Sequence, residues 1–320
     1  MKRFTYSCLT CFAAFMLVTT ASANPSSWPQ KSITIVVPFA AGGGTDSIAR
    51  EFAVELSKEL GKSVVVENRG GGGGSIGAAK VAQSKPDGYT LLFATSTFAT
   101  NAAWETNSSY NPKTSFTPIA LLGSGPLLLV ANKTLGVKTV GDLLKKAKGE
   151  PDSINYCSAG PGSINHLSGA LFQKRTDTQI THAPYRGSGP AAMDLVAGRV
   201  QIFFAPVPML LGYVKDNMVE LLAVTSKERS VLFPSIPTME ETGVKNFNVS
   251  TWWGLLGPAE LPQGIVEKLN ATTNKITSNK LLSDRFTAEG AMIFKGTPAD
   301  FATKLQNELA MWKEVVTGMH

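Results

Sequence analysis

The sequence predicts an α/β protein of two lobes, each a mostly parallel sheet flanked by helices, with a ligand cleft between them. Three observations predict it. Runs of β-branched residues alternate with amphipathic segments at short spacing, and this βαβαβ rhythm builds parallel sheets covered on both faces. The rhythm occurs twice, each time with a loop of small residues joining a strand to a helix. The chain has 320 residues, and beyond about 250–300 residues chains tend to divide into separate cores.

The first unit begins with a strand at Ile33–Val37, stopped by Pro38. Gly42, Gly43 and Gly44 lead into a helix over Thr45–Leu60, with Ile48, Ala49, Phe52, Ala53 and Leu56 on one face. Gly61 ends it. Ser63–Glu67 is the next strand, the glycine run Gly70–Gly74 follows, and Ser75–Gln83 is a second helix. Pro86-Asp87-Gly88 makes a turn, and Thr90–Ala94 is the third strand.

In the second unit, Val140–Lys148 is helical and Ile154–Cys157 is a strand. The loop Ser158–Ser163 leads into a helix at Ile164–Lys174. Strands at Gln179–Ala183, Val200–Phe204 and Leu221–Thr225 bracket a helix at Ala191–Ala197. The C-terminal segments Pro262–Asn279 and Pro298–Val316 are helical and are expected to return to the first unit. Hinges are expected near Leu122–Leu128 and Val249–Leu256. The expected division is residues 24–124 with 252–320 as one lobe and 125–251 as the other. Two such lobes enclose a cleft at the carboxyl ends of their strands.

The N-terminus reads as a secretory signal over residues 1–23. Lys2 and Arg3 precede an apolar core at Cys8–Val18, and Ala21-Ser22-Ala23 is a small-x-small cleavage site. The apolar run is too short for a good spanning helix. The protein is therefore expected to be exported, and the resemblance given below implies the periplasm. Cys8 and Cys11 leave with the signal, so Cys157 stands alone and an intramolecular disulfide is excluded. The formal net charge of +6 becomes +4 once Lys2 and Arg3 are removed. The densest basic cluster, Lys145, Lys146 and Lys148, lacks the aromatic interleaving of a nucleic-acid surface, so no nucleic-acid partner is expected.

The loops carry the candidate site. A glycine loop at a helix N-terminus offers backbone N–H groups to an anion. Thr45 or Asp46 caps the first helix, and Asp46 can instead order water or accept from a ligand donor. Ser158, Gly160 and Ser163 form a second cradle, suited to one carboxylate. His166, one turn into that helix, reads chiefly as a packing histidine. Thr95, Ser96 and Phe98 follow the third strand, either lining a pocket or capping the next helix. Gly70–Gly74 reads equally as a surface loop. Dinucleotide, phosphate-loop and zinc signatures are missing, so no cofactor or metal is expected. Cys157 with His166 is the one arrangement that suggests nucleophilic catalysis.

Taken together, the chain resembles the extracytoplasmic solute receptors of the tripartite tricarboxylate transporter family, the Bug receptors. The carriers run from Trp28-Pro-Gln-Lys31 through Val36-Val-Pro-Phe-Ala-Ala-Gly-Gly-Gly-Thr-Asp46, Val65-Val-Glu-Asn-Arg69 and Pro86-Asp-Gly-Tyr-Thr-Leu-Leu92. They continue in Ser158-Ala-Gly-Pro-Gly-Ser163 with His166, His182-Ala-Pro-Tyr-Arg-Gly187, Ala223-Val-Thr-Ser226 and Trp253-Gly254. The resemblance implies a type II-like periplasmic binding protein, not an enzyme, that delivers a small carboxylate to a transporter with one large and one small integral subunit. It implies that the Ser158–Ser163 loop holds a carboxylate. Phe39, Ala40, Thr45 and Asp46 would contact the rest of the ligand, and Ala205 beyond a second-unit strand completes the candidate set. A monomer is expected. The alternatives are a receptor that signals to a sensor kinase and an exported hydrolase. Asn101-Ala102 and Val200-Gln201 depart from the family pattern. Phe98, Trp104, Phe203 and Phe204 suggest a pocket apolar enough for an aromatic dicarboxylate.

Overall fold

The computed structural model describes residues 27–319 except 40, 43, 106, 289 and 318. The expected signal segment 1–23 and the candidate Ala40 therefore lie outside the described residues. The first half-sheet holds β1 (Ile33–Val37), β2 (Val64–Asn68) and β3 (Thr90–Thr95), with β1 parallel to both neighbours. All but one residue of β1 is buried, as expected for a strand covered on both faces. Its helices are α1 (Gly44–Leu60), α2 (Ser75–Ala82) and α3 (Thr97–Trp104). Short parallel strands need such crossovers, and the helices they place on the faces bury the β-branched runs.

The second half-sheet repeats this. After α4 (Val140–Gly149), β5 (Asn155–Ser158) lies between β6 (Thr181–Pro184) and β7 (Ile202–Pro206), parallel to both. The helices α5 (Ile164–Thr176), α6 (Ser188–Val196) and α7 (Val207–Lys215) connect and extend them, and β8 (Val219–Val224) follows. The first nine residues of α5, Ile164 to Phe172, are all buried, so this helix runs through the core. Gly169 lies so close to the Tyr156 ring that a Cβ there would overlap it.

Two long strands join the halves. β4 (Phe116–Asn132) pairs antiparallel with β9 (Ser250–Pro258) from Phe116↔Pro258 to Pro126↔Ser250, then with β7 and β8 over its last residues. The strand order is β2-β1-β3-β9-β4-β7-β5-β6. The segments expected as hinges are thus the middle of β4 and most of β9, and both expected lobe boundaries fall inside these strands. Register shifts at Pro118/Ala120 and Leu121/Gly123 let β4 carry a proline and bend within a ladder.

The remaining elements are α8 (Gln263–Thr277), α9 (Lys280–Ala288), β10 (Met292–Ile293) and α10 (Pro298–Val316). A capping box, Thr297 with Asp300, starts α10. α8 packs on α1 and β4, whereas α10 lies across α3 and α5. Lys174 of α5 donates to the Glu314 carbonyl at 2.7 Å, so the C-terminal helix touches both halves.

Candidate functional site

A cleft of 990 Å³ opens where the carboxyl ends of the parallel strands from the two halves face each other. Six helices, α1, α2, α3, α5, α6 and α7, each place an N-cap or first-turn residue on its wall: Thr45, Gly74, Thr97, Asn165, Ser188 and Pro206 among them. No lysine or arginine side chain is among its lining residues, and Asp46 is the lone carboxylate there. Helix N-termini carry about +0.5 charge each from unpaired N–H groups. Among the described lining residues, positive partial charge therefore comes from backbone N–H groups and not from cationic side chains. A shallower hollow of 580 Å³ over α2, bordered by Ile76 and Lys80, lies away from these strand ends.

The first wall is built around Asp46. Its carboxylate accepts from the Gly42 N–H at 2.8 Å, from Arg50 Nε at 3.0 Å and from Asn68 Nδ2 at 2.8 Å. Asn68 also donates to the Phe39 carbonyl, and Arg50 reaches Asn68 Oδ1. Burial pushes the Asp46 carboxyl up, but Arg50, Gly42 and Asn68 outweigh it and hold it at about 2. Asp46 therefore clamps the first loop onto β2, with both carboxylate oxygens already accepting. Gly42 turns at φ +85°, where an L side chain would be strained. Four residues of the glycine run, Gly70, Gly71, Gly73 and Gly74, border the cleft.

The second wall is the loop from β5 into α5. Ser163 caps α5, accepting from the His166 N–H at 3.3 Å and donating to the Gly160 carbonyl at 2.6 Å. The Gly160 N–H donates to Ser158 Oγ at 3.0 Å, and Ser158 Oγ lies 2.6 Å from His182 Nε2. The Gly162 N–H donates to His166 Nδ1 at 3.2 Å. His166 and His182 stack with ring centroids 4.0 Å apart, and Tyr156 stacks on His182 at 5.0 Å. Burial pushes both histidines down to about 4, helped at His182 by its neighbour His166, so both are neutral at pH 7. The side chain of Asn165, another lining residue, donates to the Phe204 carbonyl at 2.6 Å.

Of the candidate residues, Phe39, Thr45, Asp46, Thr95, Gly160 and Ser163 line the cleft. Five others are placed elsewhere. Ser158 is fully buried, and its hydroxyl joins Gly160 to His182 beneath the loop. His166 is buried against Trp104, whose ring meets it edge-on at 4.8 Å. Ser96 is buried, with its hydroxyl 3.4 Å from that of Thr251. Phe98 packs behind the wall, stacked on Tyr110 at 6.0 Å and edge-on to Phe116 at 5.1 Å. Ala205 is buried in β7 opposite Leu128. The aromatics expected to widen an apolar pocket are likewise not on its wall. Phe203 and Phe204 are core residues, and Trp104 packs against Gly162 and His166. The reason is the strand and helix geometry, which sends alternate side chains to opposite faces.

Sequence reading does not reveal Thr251 and Trp253 of β9, nor Pro208 and Met209 of α7, all of which line the cleft. The Trp253-Gly254 pair was a visible signal, but nothing local says which face its ring takes. Cys157 and His166 form no catalytic pair. Cys157 Sγ is buried against the carbonyls of Ala191 and Ile202 at 3.7 Å, and burial pushes its thiol up to about 12.

A family model described as the tripartite tricarboxylate transporter family receptor matches residues 48–320. Protein BugT of Bordetella pertussis is 34% identical, covering 92% of this chain and 91% of its own. The solved structure of R. palustris Rpa4515 with adipate is 35% identical, with a TM-score of 0.81 over 91% of this chain and 97% of that one. MatC from Rhodopseudomonas palustris with bound malate is 32% identical, with a TM-score of 0.80 over 90% of this chain and 100% of that one.

Proposed function

This chain belongs to the tripartite tricarboxylate transporter receptor family, a family of periplasmic binding proteins, and we propose that it captures a di- or tricarboxylate between its two lobes for delivery to a membrane transporter. In this reading one lobe is residues 24–124 with 252–320, and the other is residues 125–251. The carrying observation is the convergence of six helix N-termini on one cleft with no cationic side chain among its described lining residues. Each terminus stabilises a nearby anion by about 0.3–1 kcal/mol, more where it is partly buried. Several acting together hold carboxylates without a buried lysine or arginine. The first-turn N–H groups of Ile164 and Asn165, which have no intrahelical acceptor, take one carboxylate in the second lobe. Thr45, Thr95 and Thr97 in the first lobe receive the rest of the ligand. Adipate and malate on the two relatives support the carboxylate class.

Ligand touching both walls stabilises the closed arrangement, because only that arrangement contacts it from both sides. The protein acts as a monomer exported by its N-terminal segment and cut after Ala23, and its transporter has one large and one small integral subunit. A thermal-shift screen of succinate, malate, adipate, citrate and terephthalate tests the binding reading. A ligand at 100 times its Kd adds about 2.7 kcal/mol, a rise of several degrees in Tm. A flat response to all five overturns it. A response to terephthalate alone replaces the aliphatic acid with an aromatic one, a role for which Phe39 and Trp253 are the aromatic wall. Uptake of the labelled acid that depends on this chain and on the transporter separates delivery from sensing, and an intact mass starting at Asn24 checks the cleavage.

A further inference from the structure

We propose that His166 is a positioning residue for the second-wall loop: its ring nitrogen Nδ1 draws the Gly162 N–H inward and so aims the α5 N-terminus at the ligand. This rests on the carboxylate-receptor reading above. Ala159, Gly160, Pro161, Ser163, Ile164 and Asn165 all line the cleft, whereas Gly162 in their midst does not. Gly162 turns at φ +73°, a conformation that L side chains rarely adopt. Its N–H donates to His166 Nδ1 at 3.2 Å. The Trp104 ring of α3 covers it so closely that a Cβ on Gly162 would meet that ring at 3.0 Å.

His166 grips the loop twice. Its backbone N–H donates to Ser163 Oγ, and its ring accepts from Gly162. The Gly160 N–H goes to Ser158 Oγ, and the Ser163 N–H goes to the Gly160 carbonyl. The N–H groups of Gly160, Gly162, Ser163 and His166 are thus all engaged within the loop and its helix. In the receptor reading, the first-turn N–H groups of Ile164 and Asn165 take the carboxylate. Their direction follows from the turn at Gly162, because the N-cap Ser163 joins that turn to the helix. The same bond fixes the state of the ring. A backbone N–H only donates, so Nδ1 must be bare and the neutral ring must carry its proton on Nε2. The ring's surroundings agree. Burial holds the His166 pKa down to about 4, so the ring is neutral at pH 7. Tyr156 of β5 stacks on it at 6.4 Å and is kept protonated by burial. His182 of β6 stacks at 4.0 Å and is neutral as well, and Trp104 of α3 carries no charge. α3 has no ionisable side chain, and Glu105 at its C-cap is exposed. Where α5 meets α10, Lys174 and Arg175 pair with Glu314 further along the helix.

The test compares His166→Asn with His166→Leu by calorimetric titration with malate and with adipate. The asparagine Oδ1 stands where Nδ1 stood and can accept from Gly162, whereas leucine fills the buried site without an acceptor. Both variants lose the ring stack, so both should lower Tm. Affinity should part from stability: His166→Asn stays within about threefold of wild type, and His166→Leu binds about fivefold or more weakly. A ring that only packs would make affinity follow stability in the two variants. In the ¹⁵N-labelled wild type the His166 ring should show a bare Nδ1 and a protonated Nε2. A coupling across the hydrogen bond from the Gly162 nitrogen to Nδ1 should persist at saturation with malate or adipate. Wild-type affinity in His166→Leu, equal losses in both variants, or a proton on Nδ1 overturns the inference and leaves the receptor reading standing. No binding of either acid by the wild type overturns both. If the variants do not fold, the wild-type spectra decide alone.

Discussion

The two loops that face each other across the cleft share one backbone plan and are wired by different chemistry. Each follows a parallel strand, turns through positive-φ glycine, and ends on the first turn of a helix. The β1–α1 loop is held by charge: Asp46 draws in Gly42, Arg50 and Asn68. The β5–α5 loop is held by neutral groups, two serines and a stacked pair of uncharged histidines. In both, the polar side chains that look like ligand contacts are spent on shaping the loop. The threonines Thr45, Thr95, Thr97 and Thr251 line the cleft beside apolar residues such as Phe39, Ile164, Met209 and Trp253.

The largest effect that tests this contrast is Asp46→Ala. It strips the acceptor from three donors around a buried carboxylate, and it should cost about 3 kcal/mol in urea unfolding. A loss below about 1 kcal/mol would mean that the first loop does not depend on its ion. Acid should then separate the walls by pH window. His166 and His182 have pKa values near 4 in the fold against their ordinary 6.5. The unfolded chain binds their protons first, so their contribution is present above pH 6.5 and lost as pH falls towards 4. Asp46, at about 2 against 3.8, loses its contribution only between those values. Tm followed from pH 7 to 2 should fall less steeply over the upper window in His182→Phe and over the lower one in Asp46→Asn. Identical profiles would erase the distinction.

Next in size is Ser163→Ala, which removes an N-cap and should cost about 1 kcal/mol. It should also weaken carboxylate binding, because the loop that aims the α5 N-terminus loses its tie to Gly160. Unchanged stability together with unchanged affinity would break that assignment. Thr45→Ala should matter least to folding, within about 0.5 kcal/mol. Thr45 lines the cleft, so any effect should appear in ligand affinity measured by calorimetry.

The sequence reading and the structure agree best where signals are local. β1 spans Ile33–Val37 and α10 spans Pro298–Val316, as expected, because β-branched runs end at proline and a Thr-Pro-x-Asp cap starts a helix. Agreement is poorest in β4, where Pro118, Gly123, Gly125 and Pro126 have the composition of a linker. It becomes a strand because β9 pairs along it. Of Thr95, Ser96 and Phe98, expected to follow the third strand, Thr95 ends β3, Ser96 is the N-cap of α3 and Phe98 lies within it, where Phe98 and Ala99 bury into the core and override weak helix propensity.

At the site, the local sequence determined the two glycine loops, the helices they open and the exported family to which the chain resembles a member. Glycine, proline and cap residues act within a turn or two of themselves, so those features are written in short stretches. Only the tertiary structure decided which side chains reach the cleft. Ser158 turns to His182, 24 residues away in the chain. Trp252 finds Glu308, 56 residues on, while the indole N–H of Trp253 beside it finds no acceptor among the described residues. Hydrogen-bond partners of that kind are fixed by long-range packing, not by neighbours in the sequence.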